Sequence, residues 1–117
     1  MLARENRLIS ADDFRSTMRT GRKVPSNHLV TYLKKDPAPG PVRFGFVVAK
    51  SVGGAVSRNL VKRRLRAVAR ELLAEIPSTE NISIVVRALE GAADATFETL
   101  KSEFQSSVQA GVRKLVG

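Results

Sequence analysis

Residues Lys50 to Arg70 read KSVGGAVSRNLVKRRLRAVAR and contain seven basic residues and no acidic residue. From about Ala55 onward the spacing predicts a helix with two different sides. Apolar residues recur every three or four positions, which indicates one buried face: Val61, Leu65, Val68 and Leu72. Basic residues recur every four positions along another side, and we call this set the basic ridge: Arg58, Lys62, Arg66 and Arg70.

The basic ridge predicts a nucleic-acid-binding helix. Four residues of helix rise about 6 Å, so successive ridge cations match the spacing of phosphates along a strand. Asn59 and Arg63 stand beside the ridge. The alternative is a solvated helix face. Such faces usually mix Glu with Lys to relieve the repulsion between like charges, but residues 50–70 contain no acidic residue. We therefore favour a basic helical footprint for nucleic acid.

The charge of the chain is large and unevenly distributed. Its 117 residues suffice for one RNA-binding domain, expected over residues 1–117, and an apolar fraction of 43% is typical of a folded protein. The formal net charge is +9; residues 1–70 are strongly basic, whereas residues 71–117 contain more acidic than basic residues. This distribution indicates one polyanion-binding face.

The composition excludes several kinds of protein. The chain has no Cys, which excludes disulfides, thiolate chemistry and Cys-ligated zinc. No apolar run approaches the length of a transmembrane helix, so no membrane partner is expected. The first residues lack the apolar centre of a signal peptide, and a soluble cytoplasmic protein is the expectation.

The segments before the basic helix predict one helix and two strands. Ser10 can cap a helix that ends near Gly21. Residues 22–34 and 42–49 are predicted strands, joined into a hairpin by the Pro-rich turn at 35–41. The second strand is apolar at nearly every position, so we expect it to be central in the sheet.

The segments after the basic helix complete an α+β fold. Residues 81–87 alternate as a third strand, and a last helix is predicted from about residue 95 to 115. The strand–helix–strand unit suggests a parallel pair of strands. The expected fold is a two-layer α/β sandwich in the order α-β-β-α-β-α.

The chain lacks the groups with which proteins cut nucleic acid. A nuclease uses His pairs, or carboxylate clusters that hold metal ions. The single histidine, His28, falls on a predicted strand, where a structural role is the more common one, and Asp12 and Asp13 are explained by the helix start. We predict no catalytic residue and no metal ligand in this chain, which is suited to hold a nucleic acid but not to cut it alone.

Residues 46–66, FVVAKSVGGAVSRNLVKRRLR, resemble the signature of the protein subunit of bacterial ribonuclease P. That signature reads approximately lysine, a basic residue, any residue, glycine, any residue, A-V, any residue, R-N-R, any residue, K-R. The opening R-L-x-x-x-x-D-F, at Arg7, Leu8, Asp13 and Phe14, matches as well. The resemblance extends over most of the chain and includes the order of elements.

The resemblance implies an enzyme whose catalyst is RNA. In this family the RNA subunit cleaves precursor tRNA to release the 5′ leader, and magnesium ions are held mainly by that RNA. The protein binds the ribonuclease P RNA and the leader, and it is expected to be monomeric outside the ribonucleoprotein. The family also implies a left-handed strand–helix–strand crossover, against the general right-handed rule.

The resemblance assigns two sets of residues. RNA binding is expected at Lys50, Arg58, Asn59, Lys62, Arg63, Arg64, Arg66 and Arg70. A leader-binding cleft between the first helix and the sheet is expected at Phe14, Met18 and Tyr32, where bases would stack while cations hold the backbone. Three positions depart from the family: Leu60 replaces the third residue of R-N-R, with Arg64 as the candidate substitute, Ser51 replaces a basic residue, and Met18 replaces an aromatic one.

Two other functions remain open at this point. A structural RNA-binding protein of the ribosomal type, with no role in cleavage, would use a similar fold. A DNA-binding protein would place the basic helix in the major groove. The chain shows neither a second helix paired with a recognition helix nor a dimerising stripe, which disfavours the DNA-binding alternative.

Overall fold

The computed structural model describes residues 2–116 and confirms the α+β class. Within those residues it contains three α-helices and one four-stranded sheet. The helices are α1 (Ala11–Thr20), α2 (Ala55–Leu73) and α3 (Phe97–Val116), and the strands are β1 (Arg22–Pro25), β2 (Leu29–Lys35), β3 (Arg43–Val47) and β4 (Ile82–Ala88). The observed order is α-β-β-β-α-β-α, so the predicted order lacked one strand.

The segment predicted as one strand over residues 22–34 is a hairpin of β1 and β2. The two strands are antiparallel, with Lys23 opposite Tyr32. In the turn between them, the amide of Ser26 donates to the carbonyl of Leu29 at 2.8 Å. Pro25 has no amide hydrogen and ends β1. The sequence prediction missed β1 because this short turn lacks the Gly or Asn-Gly pair that usually marks a hairpin, so residues 22–34 look like one continuous strand.

The sheet order β1-β2-β4-β3 contradicts the predicted hairpin across the Pro-rich turn. β4 lies between β2 and β3, antiparallel to β2 and parallel to β3. The predicted parallel pair is therefore confirmed, and the hand of its crossover stays a prediction. The expectation that β3 is central was wrong, because β3 is an edge strand.

The apolar sequence of β3 is explained by what covers it. The amide of Leu8 donates to the carbonyl of Phe44 at 2.8 Å, so the segment before α1 lies along the outer edge of β3. The ring of Phe44 meets the ring of Phe104 of α3 edge-on, with 6.0 Å between centroids. An edge strand covered in this way has the same apolar pattern as a central one.

The main core lies between the sheet and the helices α2 and α3. The four residues of the predicted α2 stripe are at most 1% exposed and pack with alternate residues of β4. The opposite sheet face carries a second apolar cluster around Tyr32 and Val85, against which Phe14 and Met18 of α1 pack. Helices therefore lie on both faces of the sheet, with α1 covering part of the second face.

Gly111 allows α3 to approach β2 closely, which leads to a prediction about stability. A Cβ at this position would lie 2.5 Å from a methyl carbon of Leu33, which is fully buried and cannot turn away. Helix propensity alone makes Gly111→Ala stabilising by about 1 kcal/mol, whereas overpacking costs about 1–3 kcal/mol. We expect a net loss of up to about 2 kcal/mol in the free energy of unfolding, measured by urea denaturation. A gain would show that the α3–β2 contact relaxes freely.

His28 lies in the β1–β2 turn rather than on a strand, and Glu103 of α3 binds it. One carboxylate oxygen lies 2.6 Å from His28 Nδ1, and the other accepts from the His28 amide at 2.7 Å and from the Ser26 hydroxyl at 2.8 Å. Burial raises the pKa of the Glu103 carboxyl, but these hydrogen bonds outweigh burial and leave the pKa below its ordinary value. The network fastens the hairpin to α3, which is a structural role for His28.

Candidate nucleic-acid interface

Helix α2 follows β3 through a turn that requires glycine. The chain passes through a short 3₁₀ turn, Lys50–Val52, and then through Gly53 and Gly54. Gly53 has a φ of 152°, a conformation that residues with a side chain rarely adopt. The turn leaves the side chains of Lys50 and Ser51 exposed just before α2. Lys50 is therefore accessible, as its predicted role requires.

The basic ridge winds slowly around α2 and does not run parallel to the helix axis. A helix turns about 100° per residue, so every fourth residue is displaced by about 40°. Arg58 is consequently half-buried, and its Nε is buried without a hydrogen-bond partner, whereas Arg66 and Arg70 are exposed. Among residues 2–116, no ridge cation lies within 4.0 Å of a carboxylate oxygen. The ridge therefore keeps its positive charge available to a polyanion.

Residues beside the ridge differ in what they contact. Asn59 and Arg63 are exposed on the same side of α2. Arg64 points toward the segment before α3, where its Nη1 donates to the carbonyl of Ala95 at 3.0 Å. One nitrogen of Arg64 thus already donates to the backbone. The structure therefore does not support the prediction that Arg64 takes the place of the cation missing at Leu60. An RNA-binding role for Arg64 stays a prediction.

A cleft of about 390 Å³ lies where α1, β3 and α2 meet. We call it the β3 cleft, and its lining combines apolar, aromatic and basic side chains: Leu2, Arg7, Leu8, Phe14, Phe44, Gly45, Phe46, Lys62 and Arg66. Two ridge cations therefore face the same space as three aromatic rings. A single nucleic-acid strand in this cleft can stack its bases and neutralise its phosphates at once.

Phe14 enters the cleft because β3 carries no side chain beneath it. A Cβ at Gly45 would lie 2.5 Å from the Phe14 ring. Polar contacts fix α1 over the sheet in this position: Lys34 Nζ donates to the Ser16 hydroxyl at 2.7 Å, and Arg43 lies 3.5 Å from the Asp13 carboxylate. The position of the aromatic ring thus depends on both α1 and β3.

The structure brings the three predicted leader-binding residues together, but it places them differently. Phe14 lines the β3 cleft. Met18 and Tyr32 belong to the adjoining apolar cluster on the same sheet face, and Tyr32 is only 7% exposed. The sequence prediction missed Phe44 and Phe46, although both immediately precede the motif. Their pattern was read as that of a central strand; the structure does bury Phe44, which is 1% exposed, but leaves Phe46 only partly buried.

The described residues contain no candidate site for a metal ion. Within residues 2–116, no three His, Asp or Glu side chains gather in a way that could hold a metal ion. In that same part of the chain, no helix is both long and apolar enough to cross a membrane. The cleft and the ridge supply cations and aromatic surfaces, which are the groups suited to binding nucleic acid.

Comparison with known proteins agrees with this geometry. The family model described as Ribonuclease P matches residues 2–110. This chain belongs to the ribonuclease P protein family. The ribonuclease P protein component of Clavibacter michiganensis is 43% identical over 115 residues, which cover 98% of this chain and all of that protein. The component of Streptomyces avermitilis is 45% identical, with 93% of this chain and 94% of that protein covered.

Solved structures of ribonuclease P proteins share the fold. A Staphylococcus aureus ribonuclease P protein mutant with defective mRNA degradation activity superposes with a TM-score of 0.80 at 25% identity, covering 90% of this chain and 86% of that one. The Thermotoga maritima protein in complex with 1-(4-fluorophenyl)-2-thiourea gives a TM-score of 0.74 at 25% identity, covering 86% and 94%. As a ribonuclease P protein component, the chain is part of the holoenzyme that processes tRNA 5′ ends, and it associates with ribonuclease P RNA.

Proposed function

We propose that this ribonuclease P protein holds the 5′ leader of precursor tRNA in the β3 cleft while α2 binds the ribonuclease P RNA. The observation that carries the proposal is that Lys62 and Arg66 line the same cleft as Phe14 and Phe46. Stacking on aromatic rings tolerates any base, because every base has a π face, and the cations hold the backbone. Such a site suits leaders of varied sequence.

Catalysis in this proposal belongs to the RNA subunit. The residues of this chain do not fit a magnesium site, because no three carboxylate or His side chains gather within residues 2–116 and the cleft is lined by cations. We place the magnesium ions on the RNA, whose phosphates supply the hard oxygen ligands that magnesium prefers. The chain contributes binding and charge neutralisation, as a cytoplasmic protein that is monomeric outside the ribonucleoprotein.

The role of the cleft is tested by removing one aromatic ring and comparing the affinity for two substrates. Holoenzyme is assembled with Phe14→Leu, which keeps an apolar side chain but removes the aromatic surface. Affinity is measured for precursor tRNA with a leader and for mature tRNA without one. Because one stacked base contributes about 1–3 kcal/mol, we expect the preference for the leader-bearing substrate to fall about fivefold or more. The affinity for mature tRNA should stay within about twofold.

The matched control is Ile9→Ala. Ile9 precedes α1 and is 65% exposed, so its truncation removes apolar surface outside the cleft. The leader preference of this variant should equal that of the unmodified protein. An undiminished leader preference in Phe14→Leu would place the leader elsewhere on the protein.

A further inference from the structure

Helix α2 borders a second depression, on the side away from the β3 cleft. It has a volume of about 480 Å³ and is lined by Ala67, Arg70, Glu71 and Phe97. Residues 62 and 66 face the β3 cleft, and residues 67 and 71 lie roughly 140° around the helix from them. No residue lines both spaces. The basic side of α2 therefore lies between two depressions that each contain an aromatic ring.

Phe97 is held firmly at the start of α3. The Thr96 hydroxyl accepts from the amide of Thr99 at 3.1 Å and caps the helix. The carbonyl of Ala95 accepts from Arg64 Nη1 at 3.0 Å, which ties this segment to α2. Phe97 packs partly against the main core, and the rest of its ring faces the depression. An aromatic surface is thus presented in a fixed position, beside the exposed small side chain of Ala67.

Charged groups with distinct roles surround this ring. Arg70 is exposed and, among the described residues, has no carboxylate within 4.0 Å. Arg63 is exposed two turns earlier on the same side of α2. Glu71 is half-exposed and contacts Lys101 at 3.4 Å through one oxygen, which leaves the other oxygen as an acceptor. The depression therefore combines an aromatic surface, a free guanidinium group and a carboxylate acceptor.

We propose that this depression binds one unpaired nucleotide of the ribonuclease P RNA. The base stacks on Phe97, Arg70 binds the adjacent phosphate, and the free oxygen of Glu71 accepts from an exocyclic amine of the base. Uracil has no such amine, so adenine, cytosine or guanine is preferred. The inference rests on the proposed binding of that RNA by α2. The occupant is this RNA rather than the leader, because the depression shares no residue with the β3 cleft.

The experiment measures affinity for ribonuclease P RNA in the absence of precursor tRNA. Phe97→Leu removes the aromatic surface, and Ala67→Leu fills the depression from an exposed helix position without disturbing the core. Each should weaken binding about fivefold or more, since a stacked base contributes about 1–3 kcal/mol. Phe97→Trp keeps a stacking surface and should stay within about twofold of the unmodified protein.

The control is Leu115→Ala, which truncates a partly buried side chain at the other end of α3. It should leave the affinity within about twofold, and thermal unfolding confirms that each variant is folded. Chemical probing of the bases should show one unpaired nucleotide that the unmodified protein protects and Phe97→Leu does not. Unchanged affinity in both Phe97→Leu and Ala67→Leu, or equal losses in Leu115→Ala, would overturn the proposal. A failure of leader binding would appear only in the substrate comparison made with Phe14→Leu.

Discussion

Replacing Lys62, Arg66 and Arg70 together by Ala is expected to weaken binding to the complex of ribonuclease P RNA with precursor tRNA by about 100-fold or more. Each side chain is free of carboxylate partners within the described residues, so each can form a charge-assisted hydrogen bond to a phosphate. Such bonds contribute about 1.5–3 kcal/mol each. The slope of log affinity against log salt concentration should also become shallower by about 2–3 units, because about 0.7–0.9 units are lost for each phosphate contact. Both quantities come from one filter-binding titration series.

The control removes the same charge from elsewhere on the chain. Arg22, Arg113 and Lys114 are exposed, the first on the edge strand β1 and the other two in the last turn of α3. Their combined replacement by Ala should change the affinity by less than about fivefold. Equal losses in the two triple variants would show that RNA responds to the net charge of the protein and not to the ridge on α2.

Gly45→Ala is expected to disrupt the β3 cleft. Its Cβ would lie 2.5 Å from the Phe14 ring and 3.1 Å from Leu8 Cβ, so the ring must leave its position over β3. We expect the free energy of unfolding to fall by about 1–3 kcal/mol, which is the usual cost of inserting an extra methyl group into a packed site. The leader preference of the holoenzyme should fall about fivefold or more, because the displaced ring no longer stacks a base. Urea denaturation and the comparison of leader-bearing with mature tRNA provide the two measurements.

Gly54→Ala is the matched glycine control. It has an ordinary φ of −70°, and a Cβ added there meets no atom within 4 Å. Its stability should change by less than about 1 kcal/mol, since Gly is only a moderately better helix cap than Ala. If Gly45→Ala and Gly54→Ala behave alike, contact between Phe14 and β3 does not shape the cleft.

Local patterns in the sequence were sufficient to predict helix α2. The stripe from Val61 to Leu72 is buried, and the ridge cations are free of ion pairs in the described chain. Both features depend on residues three or four positions apart, and the period of a helix relates them directly. The drift of the ridge follows from the same period, so the partial burial of Arg58 could also have been predicted.

Strand topology depended on contacts that no local pattern contains. β1 and β2 were merged because the turn between them contains no Asn-Gly pair or other Gly that would mark it in the sequence. A hydrogen bond from the Ser26 amide to the carbonyl of Leu29 closes this turn instead. β3 was predicted to be central because an edge strand covered by the segment around Leu8 is as apolar as a central one. For the same reason the aromatic side chains of β3 were not recognised as part of a cleft. Whether such side chains line a cleft depends on where α1 and α2 lie in space.

Reconstitution of cleavage tests the central claim most directly. The purified chain is mixed with a bacterial ribonuclease P RNA at low magnesium concentration, and 5′ processing of a precursor tRNA is followed over time. We predict that the chain and the RNA together release the leader at the mature 5′ end, and that neither component does so alone under these conditions. If the chain binds the RNA but leaves the cleavage rate unchanged, the β3 cleft does not serve the reaction, and a purely structural RNA-binding role of the ribosomal type would account better for the basic ridge.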